Sequence, residues 1–209
     1  MDFEQFIVSA KKLHSEYVSR VSDLKVAISW DSLLFVLKQI HSFKGCSPSV
    51  LDLGTGISSV LFRAYKESFK PDAKIISVDT SAGWLLAASN YIIEKELPVN
   101  YLITWPNFLG IKFVEDYYDF ILFDIADTSF NRIHYIKPVF KRYIGPDTVL
   151  FLDDFHKAHL QRAFFRNLND YFDNFELTVL KDETLDEFGR FMAVVKSFES
   201  KTPASDCSS

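Results

Sequence analysis

Leu51-Asp52-Leu53-Gly54-Thr55-Gly56-Ile57-Ser58-Ser59 decides the fold. These nine residues read as the end of a buried strand, a glycine turn and the opening of a helix. Glycines suit such a turn because they let a ligand approach the backbone and permit positive φ. The stretch is not G-x-x-x-x-G-K-S/T, which excludes a triphosphate-binding loop. Ser59 stands where the dinucleotide pattern has its third glycine, which argues against a dehydrogenase. Outward from it, 23 positions beyond Gly56, Ile75-Ile76-Ser77-Val78-Asp79 is a second apolar run ending in a carboxylate. A doubly wound fold places there the acid that accepts hydrogen bonds from a ribose diol.

From Pro48 onward short apolar runs alternate with helical stretches, the signature of βαβ units around a buried parallel sheet. Strands are expected near Ser49–Leu53, Lys74–Asp79, Asn100–Thr104, Asp119–Asp124, Thr148–Asp153, Glu176–Leu180 and Arg190–Lys196, with helices over Ser58–Phe69, Trp84–Glu96, Arg132–Tyr143 and His156–Tyr171. Gly189 and the acidic stretch Asp182 to Glu187 read as a turn, so the last two strands form an antiparallel hairpin. Before Pro48, Phe3, Phe6, Ile7, Ala10, Leu13, Tyr17, Val18 and Val21 recur at helical spacing. Leu33, Leu34, Leu37 and Ile40 repeat the pattern after Ser29 or Asp31, either a possible cap. The expected fold is α/β: a doubly wound, mostly parallel seven-stranded sheet with helices on both faces, an antiparallel final hairpin and two leading helices. Residues 1–46 form the leading helices on the substrate side, 47–197 the domain proper, and 198–209 a frayed polar tail.

Composition sets the limits. The chain has 209 residues, 48% of them apolar and 21 of them Phe, so it can bury an aromatic-rich core. Its formal charge of −5 gives no general attraction to phosphate backbones or anionic lipid, so neither bulk nucleic acid nor membrane is expected as a partner. Cys46 and Cys207 make neither a disulfide framework nor a metal-binding spacing, which suits a reducing cytoplasm. With no run of about 18 apolar residues, neither a membrane span nor an export signal is expected.

The series LDLGTGISS, VDT, YDFILFD and TVLFLDDFH, running from about Val50 to His156, resembles the ordered motifs of Rossmann-like (class I) S-adenosylmethionine-dependent methyltransferases. The resemblance implies that Asp52 and the loop of Gly54, Thr55, Gly56 and Ser58 meet the methionine part of that cofactor and that Asp79 holds its ribose. It places the adenine near Thr80, Trp105, Asn107 and Phe108, with Trp84 as an alternative wall; the family often has an acid where this chain has Asn107.

Strand ends carry the expected chemistry. Asp124 follows the fourth strand, Asp127 comes three residues later, and Asp153-Asp154 with His156 follow the fifth. Carboxyl ends of parallel strands share one crevice, and converging carboxylates must protonate, pair with a cation or ligate a metal. The pattern is similar to small metal-dependent O-methyltransferases, which implies Asp124, Asp153 and Asp154 as ligands of Mg²⁺, with Asp124 also among the catalytic and cofactor-binding residues. Asp127 or His156 are alternative proton acceptors, Asp127 standing where related sequences often have His. One of the paired aspartates capping the next helix is the competing structural reading. The expected function is methylation of a hydroxyl on a small-molecule acceptor by a monomer or homodimer. An aminopropyltransferase of the polyamine-synthase type, which shares the fold, and a non-catalytic cofactor-binding module are the alternatives.

Overall fold

The computed structural model describes residues 1–23, 25–45, 47–111, 117–125 and 129–201. Cys46, Asp127 and Cys207 lie outside the described residues, as do 112–116 and the tail from 202. Helix α1, Phe3–Arg20, opens with a capping box. Asp2 accepts the Gln5 N–H at 2.8 Å, and the Gln5 side chain accepts the Asp2 N–H in return. Helix α2, Trp30–Ser42, is capped by Ser29, which settles the choice between Ser29 and Asp31.

Seven strands follow: β1 Ser49–Leu53, β2 Lys74–Asp79, β3 Leu102–Thr104, β4 Phe120–Phe123, β5 Val149–Leu152, β6 Phe172–Val179 and β7 Ala193–Ser200. Helices α3 (Ile57–Phe69), α4 (Ala82–Glu94), α5 (Trp105–Gly110), α6 (Ser129–Arg142) and α7 (Ala158–Tyr171) connect β1 to β6 in turn, and a single turn, α8 (Lys181–Thr184), precedes β7. The sheet order is β3-β2-β1-β4-β5-β7-β6, parallel as far as β5. Strand β7 enters antiparallel between β5 and β6, so the final pair is antiparallel as expected, with the last strand inside it.

One departure from expectation concerns the last strand. Strand β7 runs to Ser200 with Phe198 only 2% exposed, so the sheet continues past the boundary at 197. At the other end the leading helices pack onto the domain, Phe6 of α1 lying edge-on against Tyr65 and Phe69 of α3 at centroid distances of 5.8 and 5.4 Å.

Period-two alternation divides the core between the two faces of the sheet. Val50, Ile75, Phe120, Leu122 and Phe151 join α1, α2, α3 and α4 on one face. Leu51, Leu53, Val78, Ile121, Phe123, Leu150 and Leu152 join α5, α6 and α7 on the other. Strand order reverses between β1 and β4, and the crevice beyond their carboxyl ends is where open α/β sheets bind ligands. Among the described residues no helix is long and apolar enough to cross a membrane.

Candidate functional site

A cleft of about 210 Å³, open to solvent, lies at that reversal. The β1–α3 turn lines it with Gly54, Thr55, Gly56 and Ser58, β2 with Asp79, α4 with Trp84, and the ends of β4 and β5 with Asp124, Asp153 and Asp154. Tyr17 of α1 and the α1–α2 connection (Ser22, Lys25, Val26, Ala27 and Ile28) form the opposite wall. Buried His14 holds this wall, its Nε2 lying 3.0 Å from the Ile28 carbonyl. Arg190, ahead of β7, donates to the Lys25 carbonyl at 3.0 Å and to Asp186 at 2.7 Å.

The two glycines of the turn do different jobs. Gly54 has φ +115, and a Cβ there would lie 2.6 Å from the Asp124 carbonyl oxygen, so no other residue fits without moving the β4 end. Gly56 is in extended backbone, which any residue adopts, but it faces the cleft and a Cβ built there meets nothing within 4 Å. The space its missing side chain leaves belongs to the cavity, as a loop that lets a ligand approach requires.

Asp79 ties this turn to β2. Its Oδ2 accepts the Thr55 N–H at 2.7 Å and the Thr55 hydroxyl at 2.9 Å, and its Oδ1 accepts the Ser81 N–H at 2.8 Å. A carboxylate has about four acceptor positions, so roughly one remains for a ligand hydroxyl. Asp52, in contrast, does not line the cleft. It is fully buried under α3, where it accepts the Ser58 hydroxyl at 2.8 Å and the Ser59 hydroxyl at 2.5 Å. Burial pushes its carboxyl up to about 6 against the opposing serine hydrogen bonds and the charge of Arg63. Arg63, 2% exposed, donates to the Ser59 carbonyl, the Ser77 hydroxyl and the Asn100 carbonyl, and so fastens α3 to β2 and to the chain ahead of β3. Asp52 therefore shapes the loop that meets the ligand.

The three carboxylates foreseen at the β4 and β5 ends do converge: oxygens of Asp124, Asp153 and Asp154 lie within 4.8 Å of one another. Neither aspartate of the pair caps α7, whose N-cap is Lys157 without a side-chain hydrogen bond, so the capping reading is corrected. Asp154 instead takes a left-handed conformation, φ 56, which Asp tolerates better than most residues.

A guanidinium sits among these carboxylates. Arg132 of α6, with a side chain 6% exposed, places Nη2 2.5 Å from Asp124 Oδ1 and Nη1 3.3 Å from Asp154 Oδ2. Its Nε donates to the Ile125 carbonyl at 3.1 Å, and Lys157 donates to Asp154 at 2.5 Å. Burial raises Asp124, with Asp153 and Asp154 adding to the effect and Arg132 opposing it. Burial likewise raises Asp153, with its neighbour Asp154 reinforcing the shift. For Asp154 burial acts upward too, but Arg132 and Lys157 outweigh it and hold the carboxyl below the usual range.

Three carboxylates are the right donors for Mg²⁺ in kind, but the arrangement does not suit the ion. Bonded at about 2.1 Å to Asp124, a dication would stand within about 7 Å of the guanidinium and would meet only the negative charge that Arg132 and Lys157 leave uncompensated on the three carboxylates.

Of the other residues singled out from sequence, Thr80 and Asn107 are exposed and away from the cleft wall. Phe108 is fully buried against Tyr143 and Trp105, so its expected place beside adenine is corrected to the core. His156 is also off the cleft wall: its Nδ1 lies 3.7 Å from Asp154 Oδ1, its ring faces Phe191, and burial lowers its basicity. Trp30 packs edge-on against His14. Sequence reasoning missed Arg132 and Arg63. Yet Arg132, Ile136, Val139 and Phe140 form one buried helical stripe, and a charge on such a stripe signals a buried partner.

No protein-family profile matches the sequence, and no curated protein matches it. Solved structures do match in fold. An O-methyltransferase from Bacillus cereus in complex with S-adenosylhomocysteine shares 16% identity over 93% of this chain and 91% of its own, with a TM-score of 0.60. The O-methyltransferase TomG from Streptomyces achromogenes, involved in tomaymycin synthesis and solved with S-adenosylmethionine, shares 15% over 95% and 91%, with a TM-score of 0.58. The S-adenosylhomocysteine-bound methyltransferase PaMTH1 from Podospora anserina shares 13% over 91% and 88%, with a TM-score of 0.60. The resemblance seen in the motif series thus extends to the whole architecture: this chain has the class I fold of S-adenosylmethionine-dependent methyltransferases.

Proposed function

We propose that the protein transfers a methyl group from S-adenosylmethionine to a hydroxyl of a small-molecule acceptor. The observation that carries this reading is that the Gly54–Gly56 turn with Asp79 and the carboxylates of Asp124 and Asp153 line one cleft, so a cofactor cradle and a proton acceptor stand side by side. When bound, S-adenosylmethionine would supply a sulfonium methyl carbon open to in-line attack by the acceptor oxygen, the C–S bond breaking as the O–C bond forms and S-adenosylhomocysteine leaving.

The chain's own groups supply positioning and a proton sink. Gly56 leaves room at the turn, the remaining acceptor position of Asp79 holds a ribose hydroxyl, and Trp84 walls the cleft. Holding both reactants in line is worth up to roughly 7–11 kcal/mol of barrier. The acceptor's hydroxyl proton passes to Asp124, whose carboxyl lines the cleft at the end of β4. The acceptor stands against Tyr17 and the Lys25–Ile28 wall. Titration calorimetry tests the reading: S-adenosylmethionine and S-adenosylhomocysteine are expected to bind and NAD not to bind, and the opposite preference would overturn it. Transfer of labelled methyl to a panel of hydroxylated and amine-bearing acceptors then decides the acceptor atom.

A further inference from the structure

We propose that Arg132 is the resident cation of the Asp124–Asp153–Asp154 cluster and that the cluster, in this chain, takes no divalent metal ion. The inference deepens the methyl-transfer reading, on which its bearing on catalysis rests.

Three observations carry it. Arg132 is rooted on the buried stripe of α6, packed by the same turns that hold Ile136 and Val139, so its side chain is not free to swing out of the site. Two of its nitrogens are hydrogen-bonded locally, Nε to the Ile125 carbonyl and Nη2 to the Asp124 side chain at 2.5 Å, while Nη1 faces Asp154 at 3.3 Å as an ion pair without a hydrogen bond. Lys157 adds a second fixed cation on Asp154 Oδ2. The three carboxylates thus already face two positive charges from the chain itself. A planar guanidinium bridging two carboxylates orients both, as a coordinated ion would, without needing to be loaded from solution. Arg132 is accordingly a positioning residue, setting the direction in which Asp124 faces the cleft.

Manganese titration followed by electron paramagnetic resonance tests this on the full chain, with and without S-adenosylhomocysteine. Wild type is expected to leave the free-Mn²⁺ signal unchanged to millimolar concentration. Arg132→Met, which removes the charge and keeps an apolar stem, is expected to bind one Mn²⁺ at least about tenfold more tightly than wild type. Arg132→Lys retains a cation and is expected to behave as wild type. If wild type binds one Mn²⁺ and Asp153→Asn abolishes it, the proposal is wrong. A folded Arg132→Met with no gain in Mn²⁺ affinity overturns it equally, and should that variant not fold, the wild-type and Asp153→Asn titrations decide. Calorimetry of S-adenosylhomocysteine on the same wild-type sample separates the two ideas: its failure to bind sinks the methyl-transfer reading and leaves the metal result standing.

Discussion

Replacing Asp79 by Asn probes the ribose contact most directly, because the structure shows how much of this carboxylate is already in use. Three acceptor positions take the Thr55 N–H, the Thr55 hydroxyl and the Ser81 N–H, leaving roughly one for a ligand. A hydrogen bond to a charged acceptor is worth about 1.5–3 kcal/mol, so Asp79→Asn should weaken S-adenosylhomocysteine by roughly tenfold to 150-fold. The substitution also turns an amide NH₂ toward one of the two backbone donors, at a stability cost of about 1–3 kcal/mol. Affinity and stability must therefore be separated. Thr55→Val does so: it removes only the 2.9 Å hydroxyl bond, keeps the 2.7 Å N–H bond that holds the turn, and leaves every ligand-facing carboxylate atom in place. It should cost about 1 kcal/mol in urea unfolding and, since Thr55 itself lines the cleft, weaken affinity by clearly less than Asp79→Asn does. Calorimetry of both variants, with folding checked by urea titration, reads the difference. Wild-type affinity in Asp79→Asn would refute the ribose assignment. An equal loss in Thr55→Val would mean that Asp79 acts only through the shape of the turn.

Gly54→Ala places a Cβ 2.6 Å from the Asp124 carbonyl oxygen at a φ of +115, so it is expected to lower stability by more than the roughly 1–3 kcal/mol of the backbone strain alone; a urea midpoint within error of wild type would contradict the tight β1–β4 junction. Asp52→Asn should change the pH dependence of stability. Burial raises the folded-state carboxyl to about 6, so the native protein binds this proton more tightly than the unfolded chain does. The group's stabilising contribution is complete below the usual carboxylate range and is lost as pH rises through that range to about 6, a change of about 3 kcal/mol. The Asn variant lacks this loss. Its stability relative to wild type should therefore rise between pH 4 and pH 7, and a difference that stays constant over that window would show that Asp52 keeps ordinary acidity.

Much of the fold was legible in the sequence because its signals are local. Period-two and helical spacing placed β1 and β2 to the residue, and α3 and α7 within two residues at their starts. The ends were harder. Strand β6 begins at Phe172, immediately after α7, with a largely exposed face, so its amino-terminal half carries no continuous apolar run to announce it. Helix α5 is a six-residue piece opening with Trp-Pro, too short for periodicity to register. The site was legible to the extent that it depends on strand ends: Gly54, Thr55, Gly56, Ser58, Asp79, Asp124, Asp153 and Asp154 all reach the cleft. Phe108 turned into the core instead, because a position following a strand does not reveal whether the side chain points inward or toward the crevice.

By itself the sequence determined the order of the strands and of the longer helices, the glycine turn and the row of carboxylates at one edge, since each is written in the spacing of neighbouring residues. Tertiary structure alone decided that β7 lies between β5 and β6, that Asp52 is sealed beneath α3, and that Arg132 stands among Asp124, Asp153 and Asp154. The physical reason is the reach of the interactions concerned. Amphipathic spacing is set within a few residues, whereas the counter-charge of a buried carboxylate is whichever group the packing of a helix over the sheet edge brings within about 3 Å. Arg132 and Asp154 are 22 positions apart in the chain, and only the packing of α6 beside the end of β5 makes them neighbours.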